Sequence, residues 1–408
     1  MIENTLNKIR PLIPRKIFSY FQPCYHYLLS LTGAIIYRFP SREVKVIGVT
    51  GTKGKSTTTE IINAILEEAG YKTTVSNTIR YKIGNVSIPN KFKMSMPGRF
   101  FVQKLLRQAV DMKCDYVVLE MTSQGTLQYR HKFIDLDGFV FTNISPEHIE
   151  SHGSFENYRD AKLEIVKQLA HSKKRPRVLV ANGDDKEADK FLAFDADVKI
   201  RYGIKNNLET PLLGDFNKYN VSAAFEYAKA IGIDEKIIRK AIANFKDVPG
   251  RVQFVEAGQD YNVVVDYAHT PDSLEKFYTI FKDQKNICIL GGTGGGRDNW
   301  KRKEMGRIAD KFCSHIILSD EDPYDENPDQ IVNDVASGIT NKKPEIIMDR
   351  RQAMAKAISL AKTGDNILIT GKGTDPFIMG PNGTKTVWSD AEVAREEIKK
   401  TLSDNRRV

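Results

Sequence analysis

A glycine-rich stretch near the start of the chain has the residue types that bind a polyphosphate. Residues 45–60 read KVIGVTGTKGKSTTTE. The apolar run at 46–49 predicts a buried strand, and the helical spacing of apolar residues over 57–70 predicts a helix that ends at a glycine. The amides of the connecting loop and the helix N-terminus would then point at the phosphates. Lys55 would contribute positive charge, and the Ser56 hydroxyl would ligate Mg²⁺.

Further polar residues follow the ends of other predicted strands, where α/β proteins build their sites. Glu120 ends one such strand, and a carboxylate near a phosphate loop is a natural Mg²⁺ ligand because this ion prefers hard oxygen atoms. The next segment brings His148 and Lys162 near one another. Segment 215–220 opens a predicted helix, and segment 263–275 follows a later strand. Their order behind the phosphate loop indicates one composite site.

Strand-like and helix-like stretches alternate along the chain, which predicts parallel sheets covered on both faces. The predicted fold class is α/β, with a central P-loop ATPase domain on a mostly parallel sheet and a C-terminal Rossmann-like α/β domain. A Pro-Gly break at 247–251 (DVPGR) predicts a boundary, so the expected domains are residues 1–44, 45–247 and 248–408. After the first strand, further strands are predicted at 116–119, 139–142, 178–181, 261–265, 287–290, 316–318 and 366–370. Helices are predicted at 98–112, 155–170, 219–231, 235–245, 273–281, 301–312, 350–362 and 390–402.

Composition limits the function classes. The 408 residues suffice for two or three domains, and the net charge of +9 suits anionic ligands. No nucleic-acid partner is expected, because the chain lacks the interleaved aromatic and basic residues of such modules. The four cysteines, Cys24, Cys114, Cys288 and Cys313, show no CxxC pair and no metal spacing. This predicts four buried thiols in a reduced cytoplasmic protein.

The N-terminal segment is apolar. Residues 17–37 contain no Asp, Glu, Lys or Arg, but Pro23 splits the segment. Its uninterrupted part, 24–37, is shorter than the ~20 residues that a membrane span needs. No cleavage site of a signal peptide is evident. Three interpretations stay open: a helical hairpin packed on the next domain, a monotopic membrane anchor rich in interfacial tyrosines, and a true span.

The ordered motifs over residues 45–400 resemble the Mur ligase family, and most closely its MurE-type branch, which adds the third amino acid to UDP-N-acetylmuramoyl-dipeptide. The matching stretches are GTKGKST, EMTSQGTLQYR, FTNISPEHIESHG, YRDAK, DFNKYN, PGRVQ, DYAHTPDSLE, GGGRDNWKR and GKG. The resemblance implies an ATP-dependent, ADP-forming amide ligase of peptidoglycan precursor synthesis. A substrate carboxylate would attack the γ-phosphate to give an acyl phosphate, and an amine would then displace phosphate.

The resemblance also implies roles for the matching residues. Those expected to act in catalysis are Lys55, Lys162, His148 and Arg130. Two Mg²⁺ ions are expected on Ser56, Glu120, His148 and Lys162. ATP contacts are expected at Gly51, Thr52, Gly54, Lys55, Ser56, Thr57, Asn220, Arg251, Asp266 and His269. Contacts to the muramoyl-peptide acceptor and the amino acid are expected at Ser95, Ser123, Gln128, Arg130, Arg297, Asp320, Asp322 and Asp375.

Lys162 matches the lysine that this family carbamylates. CO₂ captured on a neutral amine turns a cation into an anionic oxygen ligand, which a second Mg²⁺ needs. Such an amine requires burial or cationic neighbours that lower the lysine pKa.

Two departures from the family pattern concern the substrates. Only about 44 residues precede the first strand, too few for the family's N-terminal UDP-binding domain, so that domain is expected to be missing. Either the substrate's nucleotide is then held differently, or the acceptor is not a UDP-sugar. Segment 320–324 (DEDPY) lacks the arginine that would pair with a carboxylate, which favours lysine over diaminopimelate as the added amino acid.

Two other functions stay open beside this one. The first is a different ligase of the superfamily, of folyl-polyglutamate or poly-amino-acid type. The second is a non-catalytic nucleotide-binding scaffold of wall synthesis. For the ligase, the expected partners are small molecules, and the protein is expected to be a cytoplasmic monomer. The anchor interpretation adds a peripheral membrane contact through residues 17–37.

Overall fold

The computed structural model describes residues 15–92, 94–147, 149–296 and 299–405. They form two compact units. The described residues within Met1–Glu209 and Lys218–Asn244 make up the first unit, and those within Thr210–Asn217 and Phe245–Val408 make up the second. Each unit contains its own mostly parallel sheet, which confirms the predicted α/β class.

The first unit contains an eight-stranded sheet in the order β4-β3-β2-β5-β1-β6-β7-β8. Strands β2, β5, β1, β6, β7 and β8 run parallel, whereas β3 and β4 extend the edge antiparallel. The strands are β1 Lys45–Thr50, β2 Thr73–Ser76, β3 Arg80–Ile83, β4 Val86–Pro89, β5 Tyr116–Glu120, β6 Gly138–Phe141, β7 Val178–Asn182 and β8 Val198–Tyr202. The helices are α1 Arg15–Ile36, α2 Lys55–Glu68, α3 Arg99–Asp111, α4 Ser123–Leu127, α5 Ile149–His152, α6 Phe155–His171, α7 Ala188–Leu192, α8 Asp215–Ala230 and α9 Glu235–Ala243. Helix α8 begins in the second unit and ends in the first.

The N-terminal segment forms one helix that runs through Pro23, so the prediction of a helical hairpin was wrong. Helix α1 packs on α3 and on the chain after α4. His26 hydrogen-bonds Arg99 through its Nδ1 atom, and the Ser30 hydroxyl donates to the Tyr129 carbonyl at 2.8 Å. Tertiary packing has here outweighed the local cost of a proline in a helix. None of the helices in the described ranges is long and apolar enough to cross a membrane.

The second unit contains a six-stranded sheet in the order β13-β12-β11-β14-β10-β9, parallel except for β9. A separate two-stranded hairpin, formed by β15 and β16, follows β14 in the chain. The strands are β9 Gln253–Phe254, β10 Asn262–Asp266, β11 Asn286–Leu290, β12 His315–Leu318, β13 Glu345–Ile346, β14 Asn366–Thr370, β15 Phe377–Met379 and β16 Lys385–Val387. The helices are α10 Pro271–Ile280, α11 Trp300–Phe312, α12 Pro328–Ala336, α13 Arg350–Leu360 and α14 Asp390–Asn405.

Alternating residues of this second sheet enter two separate cores. Val264 and Leu368 face one core, whereas Val263 and Ile367 face the other. A parallel sheet buried on both faces gives such continuous apolar strands, which is why the sequence pattern predicted these elements well.

The cysteine prediction was wrong in three of four positions. Cys288 in β11 and Cys313 after α11 form a disulfide on one face of the second sheet. Cys24 is exposed on α1, and Cys114 alone is a buried thiol. Spacing along the chain gave no sign of the pairing, because the two bonded residues are 25 positions apart and meet only through the fold.

Burial of one histidine generates a prediction about acid stability. His131 is 1% exposed, and within the described ranges neither ring nitrogen has a hydrogen-bond partner. Burial, with a smaller effect of Lys132, lowers the His131 pKa from 6.5 to about 3. Below pH 6.5 the His131 ring therefore binds a proton in the unfolded chain but not in the folded chain. The free energy of unfolding falls as the pH is lowered for this reason.

We expect His131→Phe to remove this contribution. Between pH 6.5 and about 3 the wild type should lose up to about 1.4 kcal/mol of unfolding free energy per pH unit relative to the variant. Urea unfolding at several pH values measures the difference. His171→Phe is the matched control because His171 is exposed. The free energy of unfolding of this control variant should vary with pH as that of the wild type does. Parallel curves for His131→Phe would contradict the prediction.

Candidate active site

The phosphate loop connects the end of β1 at Thr50 to the start of α2 at Lys55. Gly54 precedes the helix with a φ of +82°. A Cβ atom there would lie 2.2 Å from Oδ1 of Asn220, so only glycine lets these two segments approach. The structure thus brings Asn220, one of the expected nucleotide contacts, to the loop. The loop amides and the N-terminus of α2 form a concave surface suited to an anion.

Residues that follow β6 hold the loop in place. The Thr142 hydroxyl donates to the Lys53 carbonyl at 2.7 Å, and the Lys53 amide donates to the Asn143 side chain at 2.9 Å. The Thr52 amide donates to the Asn143 carbonyl at 2.8 Å. Register explains the proximity, because Thr50 pairs with Phe141 at the end of both strands.

Two lysine amines lie on the same turn of this loop. Lys55 Nζ donates to the Thr52 carbonyl at 2.9 Å and to the Gly51 carbonyl at 3.1 Å. Lys162 Nζ from α6 donates to the Gly51 carbonyl at 2.7 Å. Burial of Lys162, and then the charge of Lys55, lower the Lys162 pKa well below its usual value. The shift makes the neutral amine, the form that carbamylation requires, more accessible than in an ordinary lysine.

The predicted metal ligands Ser56 and Glu120 are in direct contact. The Ser56 hydroxyl donates to Glu120 Oε2 at 2.7 Å, and both residues are buried. Thr78, which follows β2, donates to the same carboxylate through its amide at 3.1 Å and through its hydroxyl at 3.0 Å. The carboxylate is thus oriented by Thr78 beside the first turn of α2.

The donor set fits a hard divalent cation. A hydroxyl and a buried carboxylate in contact are oxygen donors of the type that Mg²⁺ prefers. In the described ranges no group of three or more His, Cys, Asp and Glu residues could hold a metal by itself. His148, the predicted third ligand, lies outside the described residues.

Tyr158 links the lysine to the loop. Its hydroxyl lies 3.0 Å from the Thr52 hydroxyl, and Lys162 Nζ lies 4.7 Å from the centre of its ring. His152 meets the same ring edge-on at 5.3 Å. Burial, followed by the charge of Lys162, lowers the His152 pKa. One buried tyrosine therefore positions both Thr52 and Lys162.

The predicted acceptor residues also come together in the first unit. Arg130 donates to the Met96 carbonyl and, at 2.6 Å, to Oε1 of Gln128. Ser95 precedes Met96 and is buried, and among the described residues its hydroxyl has no partner. Ser123 begins α4, which lies against Met96 at Gly125. The four predicted positions therefore surround one backbone segment.

The remaining predicted nucleotide contacts lie in the second unit. Arg251 stacks on the Tyr267 ring at 4.4 Å. Asp266 accepts the Val252 and Ala268 amides at 2.8 and 2.7 Å, and His269 Nδ1 lies 2.7 Å from the Tyr267 carbonyl. Asp266 thus braces the turn that presents Arg251.

Two of the expected substrate residues in the second unit, Asp322 and Asp375, lie beside a buried cation, Lys372. Lys372 is 1% exposed, and its Nζ donates to Asp322 at 2.8 Å and lies 3.4 Å from Asp375. Burial raises the pKa of Asp320, whose Oδ1 accepts the Glu321 amide. Burial likewise raises the Glu321 pKa to about 7. Arg297, the other predicted substrate residue of this unit, lies outside the described residues.

Comparison with known proteins agrees with this geometry. Residues 49–210 match the model for the Mur ligase middle domain, and residues 250–373 match the Mur ligase, glutamate ligase domain. The UDP-N-acetylmuramoyl-L-alanyl-D-glutamate–2,6-diaminopimelate ligase of Syntrophomonas wolfei is 34% identical, over 86% of this chain and 77% of the relative. That of Aquifex aeolicus is 35% identical, over 88% and 78%. The chain belongs to the Mur ligase family. The resemblance inferred from the motifs is confirmed.

Solved structures share the fold of this Mur ligase. A UDP-N-acetylmuramoyl-L-alanyl-D-glutamate–2,6-diaminopimelate ligase superposes with a TM-score of 0.60 at 27% identity, covering 88% of this chain and 79% of that one. Escherichia coli FolC in complex with DHPP and ADP gives a TM-score of 0.64 at 18% identity, covering 92% and 93%. The second likeness concerns the fold alone.

Sequence reasoning missed three residues that organise the site. Thr78 follows a short strand whose polar residues, TTVS, gave no strand signal. Tyr158 stood within the quoted motif YRDAK, where its helical position four residues before Lys162 could have revealed it. Lys372 stood within the motif GKG, but its partner Asp322 is 50 residues away and meets it only through the fold.

The contact between Thr78 and Glu120 gives a prediction for the Mur ligase activity. Thr78→Val keeps the side-chain shape and removes one hydrogen bond to a buried carboxylate, an interaction of about 1.5–3 kcal/mol. We expect kcat to fall by roughly ten- to a hundredfold and the Mg²⁺ concentration for half-maximal activity to rise. Steady-state kinetics in a Mg²⁺ titration measures both.

Thr340→Val serves as the control, because its hydroxyl also donates to a carboxylate, that of Asp310, in the second unit. It should leave the Mg²⁺ dependence unchanged. An unchanged Mg²⁺ dependence in Thr78→Val would show that Thr78 does not orient the ligand.

Proposed function

We propose that this Mur ligase joins an amino acid to a muramoyl-peptide-type acceptor in an ATP-dependent, ADP-forming reaction of peptidoglycan precursor synthesis. One observation carries the proposal. Two lysine amines share the carbonyl oxygens of a phosphate loop beside a buried Ser56–Glu120 pair. Relatives at about one third identity carry the name of such a ligase.

The chemistry requires two anions to meet. The acceptor carboxylate oxygen attacks the γ-phosphorus, the bond to the β-phosphate oxygen breaks, and ADP leaves. An amine then attacks the acyl carbon, gives up a proton, and inorganic phosphate leaves. The chain contributes positive charge and holds the reactants in position. The loop amides and Lys55 act on the phosphates, and Arg130 acts on the acceptor.

We propose that Mg²⁺ binds at two sites formed from Ser56, Glu120, His148 and Lys162. When bound, the ions would neutralise charge on the phosphates and the attacking carboxylate. Thr78 would keep the Glu120 carboxylate turned toward Ser56.

We propose that Lys162 acts as a carbamate. Its neutral amine attacks the carbon of CO₂, an N–C bond forms, and a proton leaves. Burial and Lys55 favour the neutral amine needed for this step. The anionic product would also relieve the like-charge contact with Lys55.

Substrate contacts are proposed from the same residue set. The proposed nucleotide contacts of the first unit are Gly51, Thr52, Gly54, Thr57 and Asn220. Those of the second unit are Arg251, Asp266 and His269. The acceptor contacts are Ser95, Ser123, Gln128 and Arg130. The amino-acid contacts are Arg297, Asp320, Asp322 and Asp375. We propose a diamino acid as the second substrate, with lysine preferred because Tyr324 stands where a carboxylate-binding arginine would be.

We further propose a cytoplasmic monomer that acts on small molecules. Its apolar segment 17–37 makes peripheral contact with the membrane.

A panel assay tests the reaction. Purified protein, ATP and Mg²⁺ are combined with one acceptor and one amino acid. The acceptors are muramoyl-dipeptides that carry or lack the UDP group, and a folate. The amino acids are lysine and diaminopimelate. Mass spectrometry should detect the acceptor plus one amino acid minus water, with phosphate release that needs both substrates. Products from a folate acceptor alone would indicate the folyl-polyglutamate type, and phosphate release independent of both substrates would contradict a ligase.

Chemical rescue tests the carbamate. Lys162→Ala should lower kcat by at least about a hundredfold, because a charge-positioning group is lost, and formate or acetate should restore part of it. Lys162→Met fills the same space and should not respond. In the wild type, ¹³C-bicarbonate should give a carbamate signal by NMR. Absence of the signal, together with no rescue, would contradict the proposal.

A further inference from the structure

Helix α1 has one face that packs on α3 and another whose side chains are exposed. His26, Ser30, Gly33 and Ala34 are buried on the packed face. Gly33 lies against α3, because a Cβ atom there would be in van der Waals contact with the Arg99 carbonyl at 3.7 Å. This packing fixes which side of α1 points outward.

Between residues 21 and 36 the outward side is largely apolar. Phe21, Leu28 and Ile35 are 57%, 58% and 57% exposed. They are spaced by seven residues, so they lie nearly on one line along the helix over about 21 Å. Pro23 and Thr32 are also exposed. We call the exposed residues Phe21, Cys24, Leu28, Ile35 and Ile36 the outer face of α1.

An exposed apolar surface of this kind marks a binding surface rather than ordinary solvent-facing helix. Solvent-facing helices carry charged residues on their outer side, whereas residues 17–37 carry none. The next question is which partner the outer face accepts.

The charges that flank the helix distinguish the partners. From residue 4 to residue 42 the sequence has no Asp or Glu, but it has Arg15 and Lys16 at one end of α1 and Arg38 beyond the other. The first acidic residue after the helix, Glu43, already pairs with Arg107 at 2.5 Å. A second copy bound through the same face would bring cations against cations in either a parallel or an antiparallel arrangement. An anionic surface satisfies both ends.

We propose that the outer face of α1 binds an anionic phospholipid surface, with the helix lying in the plane of the interface. The apolar side chains enter the boundary between headgroups and acyl chains, and the flanking cations contact lipid phosphates. The inference rests on the peripheral contact proposed for residues 17–37 and gives it a lipid class and an orientation. It does not depend on the ligase chemistry.

Vesicle flotation of the full chain tests the proposal. Vesicles of phosphatidylcholine with one quarter phosphatidylglycerol are compared with vesicles of phosphatidylcholine alone, at low and high salt. We expect the wild type to float with the anionic vesicles, at least tenfold less with the neutral ones, and less at high salt. Failure to float with anionic vesicles, or equal binding to both kinds, would overturn the proposal.

Matched variants identify the surface. Leu28→Glu/Ile35→Glu places two charges on the outer face and should lower binding at least tenfold. Ile346→Glu/Val387→Glu makes the same change at exposed apolar residues of the second unit and should bind like the wild type. Circular dichroism and activity with soluble substrates should be unchanged in both, which separates lipid binding from the proposed ligase function. Equal binding by the two variants would overturn the assignment.

Sedimentation velocity without lipid examines the competing partner. We expect a single species whose mass is independent of concentration. A dimer that Leu28→Glu/Ile35→Glu dissociates would overturn the proposal in favour of a second copy of the chain.

Discussion

The first unit is organised around a local excess of positive charge. Lys55 and Lys162 place two amines on adjacent carbonyl groups of one glycine-rich turn, where the loop amides and a helix N-terminus add further positive potential. Burial, and then the charge of Lys55, lower the Lys162 pKa. We expect an incoming polyanion, or the proposed carbamate, to offset the positive charge of the loop. The site is thus built to attract negative charge before any substrate binds.

This arrangement exists because several strands end at one level. Val49 pairs with Glu120 and Thr50 pairs with Phe141, so the loop, the carboxylate and Thr142 project from one edge of the sheet. Helix α6 delivers Lys162 and Tyr158 to that edge, and Thr78 arrives from the end of β2. Glu120 ends β5, and Thr78 and Thr142 lie one or two positions beyond a strand, which is how a parallel sheet assembles a site from distant parts of a chain.

The sequence predicted those parts whose signal is local. The continuous apolar strands of both sheets and the loop between β1 and α2 follow from patterns within a few residues; the predicted strand 366–370 coincides with β14. The short strands β2, β3 and β4, which form one end of the first sheet, escaped prediction because they are polar or exposed, and the role of Thr78 escaped with them. Helix α12 was missed although Asn327 and Pro328 form a common helix start. The predicted break at Pro23 did not occur, because packing on α3 supports the helix.

Long-range pairings could not be predicted at all. Lys372 with Asp322, and Cys288 with Cys313, depend on the order of strands in the second sheet rather than on spacing. The proximity of Lys162 to Lys55 was expected from the family resemblance, whereas their shared use of the Gly51 carbonyl became visible only in the folded chain.

The state of the four cysteines gives the molecule a built-in attachment point. Two are tied together and one is enclosed, which leaves Cys24 as the accessible thiol, on the outer face of α1. A thiol-reactive fluorophore or spin label would therefore couple at one position of the native chain without any mutation. Its emission colour or its accessibility to oxygen would then report directly on the polarity of whatever medium surrounds that helix.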